Sequence, residues 1–385
     1  MKTYWRSWII LALFSVLFLT FGLTTASAEI VASGTDGNLS WTLDDDGLLT
    51  ISGTGDMYDY SYYNRPWYNQ RKTVSSVILK AGVTSICAWA FSGFSNLTNI
   101  TIPDSVTKIG DRAFAECSSL TSISIPQSVT SMGNLTFSWC SSLMSVTIPD
   151  NVTCIGCEAF RDCSNLTSII IPKGVTNILW NAFENCSSLT YITIPDSVTR
   201  ICNSAFEECI GLESITIPDS VTNIGEYAFY GCSSLTNISV PQSVTSIGNH
   251  VFSWCRSLTS ISIPESVNSI GEGAFDNCPA LTLTVYLKST ALDYAKENDI
   301  PYTILVNPDT VNTLTLPAGL TVIEEEAFAG AAFEAVIVPE GCQAIGARAF
   351  ADCPNLIYIR VPAGTEIDGT AFASCENVII DRSAE

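Results

Sequence analysis

The clearest regularity in the chain is where its apolar residues fall. In LTSISIP, residues 120–126, Ile123 and Ile125 alternate with Ser122 and Ser124, the period of a strand with one buried face. Pro126 follows, and a residue without an amide hydrogen ends the strand. SVTSMG then supplies Val129 and Met132 as inward residues of a shorter extended piece. In NLTFSWC, Phe137 and Cys140 stand three apart, the spacing of a helical turn. The predicted unit has two extended sides and a short helical corner. Alone it cannot bury its apolar face.

The unit is repeated. Cys117, Cys140, Cys163, Cys186, Cys209, Cys232, Cys255 and Cys278 are spaced by 23 residues, matched by Pro103 to Pro264 and by Phe91 to Phe275 at the same interval. A fixed period of roughly 20 to 50 residues is the signature of a solenoid, whose stacked coils share one core. The predicted fold is therefore a repeat solenoid, mainly β with short helical corners. Ten such coils extend about 48 Å at strand spacing, so an elongated molecule is expected. Gly110, Gly133, Gly156, Gly225, Gly248 and Gly271 recur after the second strand, which suggests a left-handed turn. Cys87, Leu179 and Cys202 hold the same place elsewhere, so that requirement is weak.

Breaks in the pattern divide the chain. Residues 1–28 carry Lys2 and Arg6, an apolar run from Trp8 to Leu23 and the small residues Ala26, Ser27 and Ala28, a secretory signal with cleavage after Ala28. In residues 29–73, LSWTLDDDGLLTISGTG alternates on both sides of Asp44, Asp45, Asp46 and Gly47, a hairpin signal. A calcium loop would need further ligands that the run lacks. The aromatic MYDYSYYNRPWY after it suits a lid on the open end of a solenoid, with a sugar-stacking platform as the sharper alternative. The main array spans 74–281. Residues 282–306 close it with a short helix whose predicted capping box is Thr290 with Asp293. A second, Ala-rich array of three degenerate coils occupies 307–381, with Phe328, Phe350 and Phe372 in the phenylalanine column.

The formal charge of −21 becomes −23 once Lys2 and Arg6 are removed. So acidic a surface repels phosphate backbones and anionic lipid, which argues against nucleic-acid binding. The 15 cysteines would suggest disulfides in an exported protein. Stacked strands lie about 4.8 Å apart with parallel side chains, whereas half-cystines converge to about 3.8 Å between Cβ atoms. Phe94 and Ala331 also fill the cysteine column. Free thiols acting as small hydrophobes are expected there. Cys154 and Cys157 form the only local pair; no second pair completes a zinc site, which leaves a single local disulfide or coincidence as the reading of the pair.

The phrase IPDSVTxIGxxAFxxCSSLTSI resembles the BspA-like leucine-rich repeat family, over nearly all of the mature chain. The resemblance implies a leucine-rich-repeat type right-handed solenoid with an N-terminal β cap. It also implies an exported or surface-attached protein that binds host or neighbour-cell macromolecules and has no family-wide catalytic residues. The terminal ENVIIDRSAE carries no sorting signal or membrane tail, so secretion is expected, with cell-surface display as the alternative.

No cofactor, metal or catalytic set is predicted. The sole histidine, His250, lies in a column that also holds Trp89, Arg112 and Tyr227. Asp196 and Asp219 are neighbours, but Asp after Pro is ordinary turn chemistry. The expected role is binding of an extracellular protein or glycan. A structural surface coat, ice or mineral binding through hydroxyl ladders, and a carbohydrate-active enzyme are the alternatives. The outward strand positions run Asn99, Ser122, Ser145, Ser168, Tyr191, Ser214, Asn237, Ser260 and Thr101, Ser124, Thr147, Ile170, Thr193, Thr216, Ser239, Ser262. Ile170 and Tyr191 break the polarity on consecutive coils and are predicted to form an exposed apolar patch. Lys173 and Trp180 are unusual on the same coil, with Trp180 expected on another side. These four are the candidate ligand-binding residues.

Overall fold

In the computed structural model, residues 28–382 are described. The export segment 1–28 lies, apart from its last residue, outside them. The chain forms a mainly-β solenoid of about 13 turns. After a first coil with four-residue strands, Ser76–Leu79 and Val83–Ile86, the coils of the main array contribute a three-residue strand, such as Ser122–Ser124, and a two-residue strand, such as Ser131–Met132. Equivalent strands pair in parallel with a register shift of one repeat: Ser168 faces Tyr191, and Ser131 faces Cys154. Every three-residue strand of the main array shows an exposed, buried, exposed pattern, because the middle residue, Ile or in one coil Val146, points into the shared core.

The core is a set of columns. Phe91, Phe114, Phe137, Phe160, Phe183, Phe206, Phe229, Phe252 and Phe275 stack with ring centroids 5.4–5.6 Å apart and interplanar angles of 1–20°. Spacings wider than the coil repeat mark offset stacking. The cysteines behave as the spacing argument predicts. Cys140 Sγ donates to the Phe114 carbonyl of the preceding coil at 3.1 Å, and Cys117, Cys163, Cys186 and Cys209 repeat the contact. That carbonyl already accepts the Cys117 amide, so the thiol occupies its second lone pair.

Three local expectations are corrected. The corner is a chain of turns rather than a helix: Arg112 and Glu116 adopt φ of 55° and 62°, which no right-handed helix contains. Its amides alternate between two kinds of partner. Ala113, Ala115 and Cys117 bond three residues back, whereas Arg112, Phe114 and Glu116 bond Asn134, Thr136 and Ser138 of the next coil. The corner thus joins the hydrogen-bonded stack, a gain that a self-contained helical turn lacks. Second, the recurrent glycines are outside the left-handed region, and crowding explains them. A Cβ on Gly156 would lie 2.3 Å from the Gly133 carbonyl oxygen. Third, Ser289 caps the helix Thr290–Glu297, its hydroxyl accepting the Leu292 amide at 3.2 Å. Thr290 is already inside the helix, and Asp293 sits in the first turn.

Both ends of the phenylalanine stack are covered. Leu39–Asp44 and Leu48–Gly53 form the expected hairpin, in which Asp44 and Asp45 carboxylates accept the Leu48 and Glu29 amides at 2.8 Å each. The aromatic segment after it acts as the lid. Trp67 is fully buried, stacks on Phe91 at 6.0 Å and 15°, and donates its indole N–H to the Ala90 carbonyl. At the other end, Tyr294 of the helix meets Phe275 edge-on at 5.9 Å.

The second array does not extend the first sheet. The main strand sheet ends at Thr282–Tyr286 paired with Tyr302–Leu305, and Thr313–Thr315 opens a separate one. Ala335 and Tyr358 hold positions equivalent to those exposed in the main array, yet both are buried within the main core. Arg360 donates to the Ile304 carbonyl at 2.7 Å, and Lys288 pairs with Glu334 at 2.6 Å. The second array thereby covers its own strand face and leaves that of the main array open.

Candidate functional site

The open strand face is built by alternation: the middle residue of each strand is inward, so the flanking residues are held outward at coil spacing. The sixteen positions from Asn99 to Ser262 carry no charge, in a chain whose formal charge is −21. Hydroxyls and amides make up fourteen of them. Ile170 and Tyr191 are the two exceptions, 77% and 57% exposed.

The structure brings these two together. Ile170 pairs with Thr193, and the Thr193 hydroxyl donates to the Tyr191 phenol oxygen at 3.1 Å. The Tyr191 ring is therefore folded along its own strand towards residue 193, the position that faces Ile170. Lys173 is exposed three residues beyond the end of the strand Ser168–Ile170. Trp180 is 60% exposed but lies past the short strand Asn177–Ile178, at the start of the corner, where its carbonyl accepts the Glu158 amide. It is not on the strand that carries Ile170 or on the one that carries Tyr191.

Met144 was not singled out from the sequence, although it is 52% exposed at the rim of the same face. Its signal was a break in a column that otherwise reads Thr98, Thr121, Thr167, Thr190, Glu213, Thr236 and Thr259. Some hydroxyls off the strand face are used structurally. Ser197 and Ser220 donate to the Val175 and Val198 carbonyls of the preceding coil at 2.6 Å. His250 stacks on Tyr227 at 5.1 Å, and its amide bonds the Glu272 carbonyl, a packing role. Asp196 and Asp219 are exposed on the turns after their prolines.

No described helix is long and apolar enough to cross a membrane. No curated protein matches the chain. Among solved structures it is similar to a leucine rich cell surface protein from Faecalibacterium prausnitzii A2-165, with 29% identity, 92% of this chain and 95% of that chain covered, and a TM-score of 0.47. A leucine-rich repeat protein from Bacteroides ovatus ATCC 8483 is 21% identical, with coverages of 93% and 99% and a TM-score of 0.49. The pneumococcal vaccine antigen PcpA is 16% identical, with coverages of 93% and 100% and a TM-score of 0.44. The BspA type leucine rich repeat region matches in 6 copies over residues 63–190, 176–295 and 298–380, and the chain belongs to that family.

Proposed function

We propose that the protein is exported, remains outside the cell or on its surface, and binds an extracellular protein through the strand face of the main array, without catalysis. The observation that carries this reading is the open face of sixteen uncharged outward positions with an apolar patch at Ile170 and Tyr191. An uncharged hydroxyl surface loses little on desolvation compared with an ionic one. An exposed aromatic on such a surface is where binding energy concentrates, and truncating one at a hot spot costs about 2 kcal/mol, or about thirtyfold in affinity. Export and the candidate signal at 1–28 belong to the same proposal.

The test is surface plasmon resonance of the mature chain over purified extracellular-matrix proteins. The variant Ile170→Ser with Tyr191→Ser restores the polar consensus of neighbouring coils and is expected to keep the wild-type melting curve. Loss of at least tenfold in affinity supports the patch. Unchanged affinity places binding elsewhere. Ordered self-assembly with no matrix protein bound favours a surface coat.

A further inference from the structure

The corner edge carries a second set of exposed aromatics, remote from the strand face. Trp139 and Trp254 sit in the left-handed column that elsewhere holds Glu116, Asp162, Asn185 and Glu208, with Gly93 and Gly231 at two coils. An arginine lies over each indole, Arg161 at 5.6 Å and Arg256 at 4.7 Å from the ring centroid. The two pairs differ in one respect. Arg161 is tied to Glu158, Asp162 and Glu184 by ion pairs of 2.8–3.3 Å, which makes it part of a structural network. Arg256 has no carboxylate partner among the described residues, and its guanidinium contacts the indole.

Trp254 stands between two open depressions. One, of about 460 Å³, is lined by Gly231 together with Glu208, Tyr230, Ser233, Trp254 and Arg256. The other, of about 500 Å³, shares Trp254 and Arg256 and ends against Tyr294 and Asn298. Glycine at 231 makes the first depression possible: φ is +70°, and a Cβ there would lie 2.8 Å from the Glu208 carboxylate carbon. The carboxylate therefore rests across the bare Cα, and no hydrogen bond or ion pair holds it among the described residues. Burial, with the charge of Glu207 second, raises its carboxyl above the ordinary value. A charged donor and a charged acceptor, both unpartnered, thus flank an aromatic surface that is 37% exposed.

The chemistry of a ligand follows from these groups. An anion meets Glu208 and the formal charge of −21; a cation meets Arg256. A neutral, polyhydroxylated molecule meets neither penalty. Its hydroxyls donate to the carboxylate and accept from the guanidinium, forming charge-assisted hydrogen bonds, while its C–H face lies on the indole. Two depressions joined through one tryptophan along the array suit a chain of such units. We propose that Glu208, Trp254 and Arg256 form a binding site for a neutral oligosaccharide laid along the corner edge. This site is independent of the strand-face reading.

The experiment is a printed array of neutral, sialylated and sulfated oligosaccharides probed with the mature chain, followed by calorimetry with the best soluble neutral one. Trp254→Asn uses a residue that the same column holds at Asn277 and Asn185 in the left-handed conformation, and Glu208→Gln keeps shape while removing charge. Each is expected to weaken binding at least tenfold with an unchanged melting curve. Trp180→Ala and the Ile170→Ser, Tyr191→Ser variant are expected to bind as wild type. Retention of sialylated or sulfated sugars alone, no retention at all, or wild-type affinity in Trp254→Asn overturns the proposal.

Discussion

Replacing Phe183 by Ala removes the middle of the phenylalanine stack. The ring is 1% exposed and lies 5.5 Å from Phe160 and 5.5 Å from Phe206, with interplanar angles of 1° and 5°. Transfer and cavity terms for a buried Phe→Ala change amount to about 3–5 kcal/mol. Each stacked pair contributes about 0.5–1.5 kcal/mol beyond area, and two are lost. The expected destabilisation is at least about 4 kcal/mol. Stability in an array is a sum of coil and nearest-neighbour terms, so a central lesion weakens two interfaces and is expected to split the unfolding transition. Phe328, in the first coil of the second array, is half-buried and has one neighbour in the stack, Phe350 at 5.4 Å. Its replacement by Ala is expected to cost about half as much, near 2 kcal/mol. Urea unfolding followed by circular dichroism and tryptophan fluorescence measures both. A loss below about 2 kcal/mol for Phe183→Ala, or a larger loss for Phe328→Ala, refutes the reasoning.

Two further outcomes follow from the packing. Gly156→Ala is expected to cost about 1–3 kcal/mol through overpacking, and Gly156→Asn no less, because the obstacle is the neighbouring coil; a milder Asn variant in urea melts would restore the left-handed reading. Gly369 has open space and an ordinary φ, so Gly369→Ala is expected to gain about 0.4–1 kcal/mol in the same assay. With a thiol reagent at neutral pH, exposed Cys154 is expected to react first, while the buried thiols of the column stay silent because the reagent cannot reach them; burial also raises Cys278 to about 11 and Cys209 further. Denaturation without reductant is expected to release all 15; a deficit confined to Cys154 and Cys157 would mark a local disulfide, and any larger deficit would show that the column holds disulfides.

The sequence by itself determined the stack. Residues repeated every 23 positions occupy equivalent places on successive coils, so the Ile, Phe and Cys columns, the free thiols and the need for a lid at Trp67 all follow from translation along one axis. The apolar breaks at Ile170 and Tyr191 were legible for the same reason, since alternation fixes which residues face out. The three-residue spacing of Phe137 and Cys140 could not separate a helical turn from the observed turns. That choice depends on amides finding carbonyls one coil away, a partner no local pattern contains. Glycine at 156 marks a close approach between coils, and Tyr191 leans on Thr193; both are contacts that exist only after stacking. The course of the second array was likewise invisible. Its strands repeat like the others, and only packing of Ala335 and Tyr358 against the closing coil decides that this face is buried while the main face stays open. The depressions beside Trp254 belong to the same class, because unpartnered charges at Glu208 and Arg256 can be recognised only once three coils are side by side.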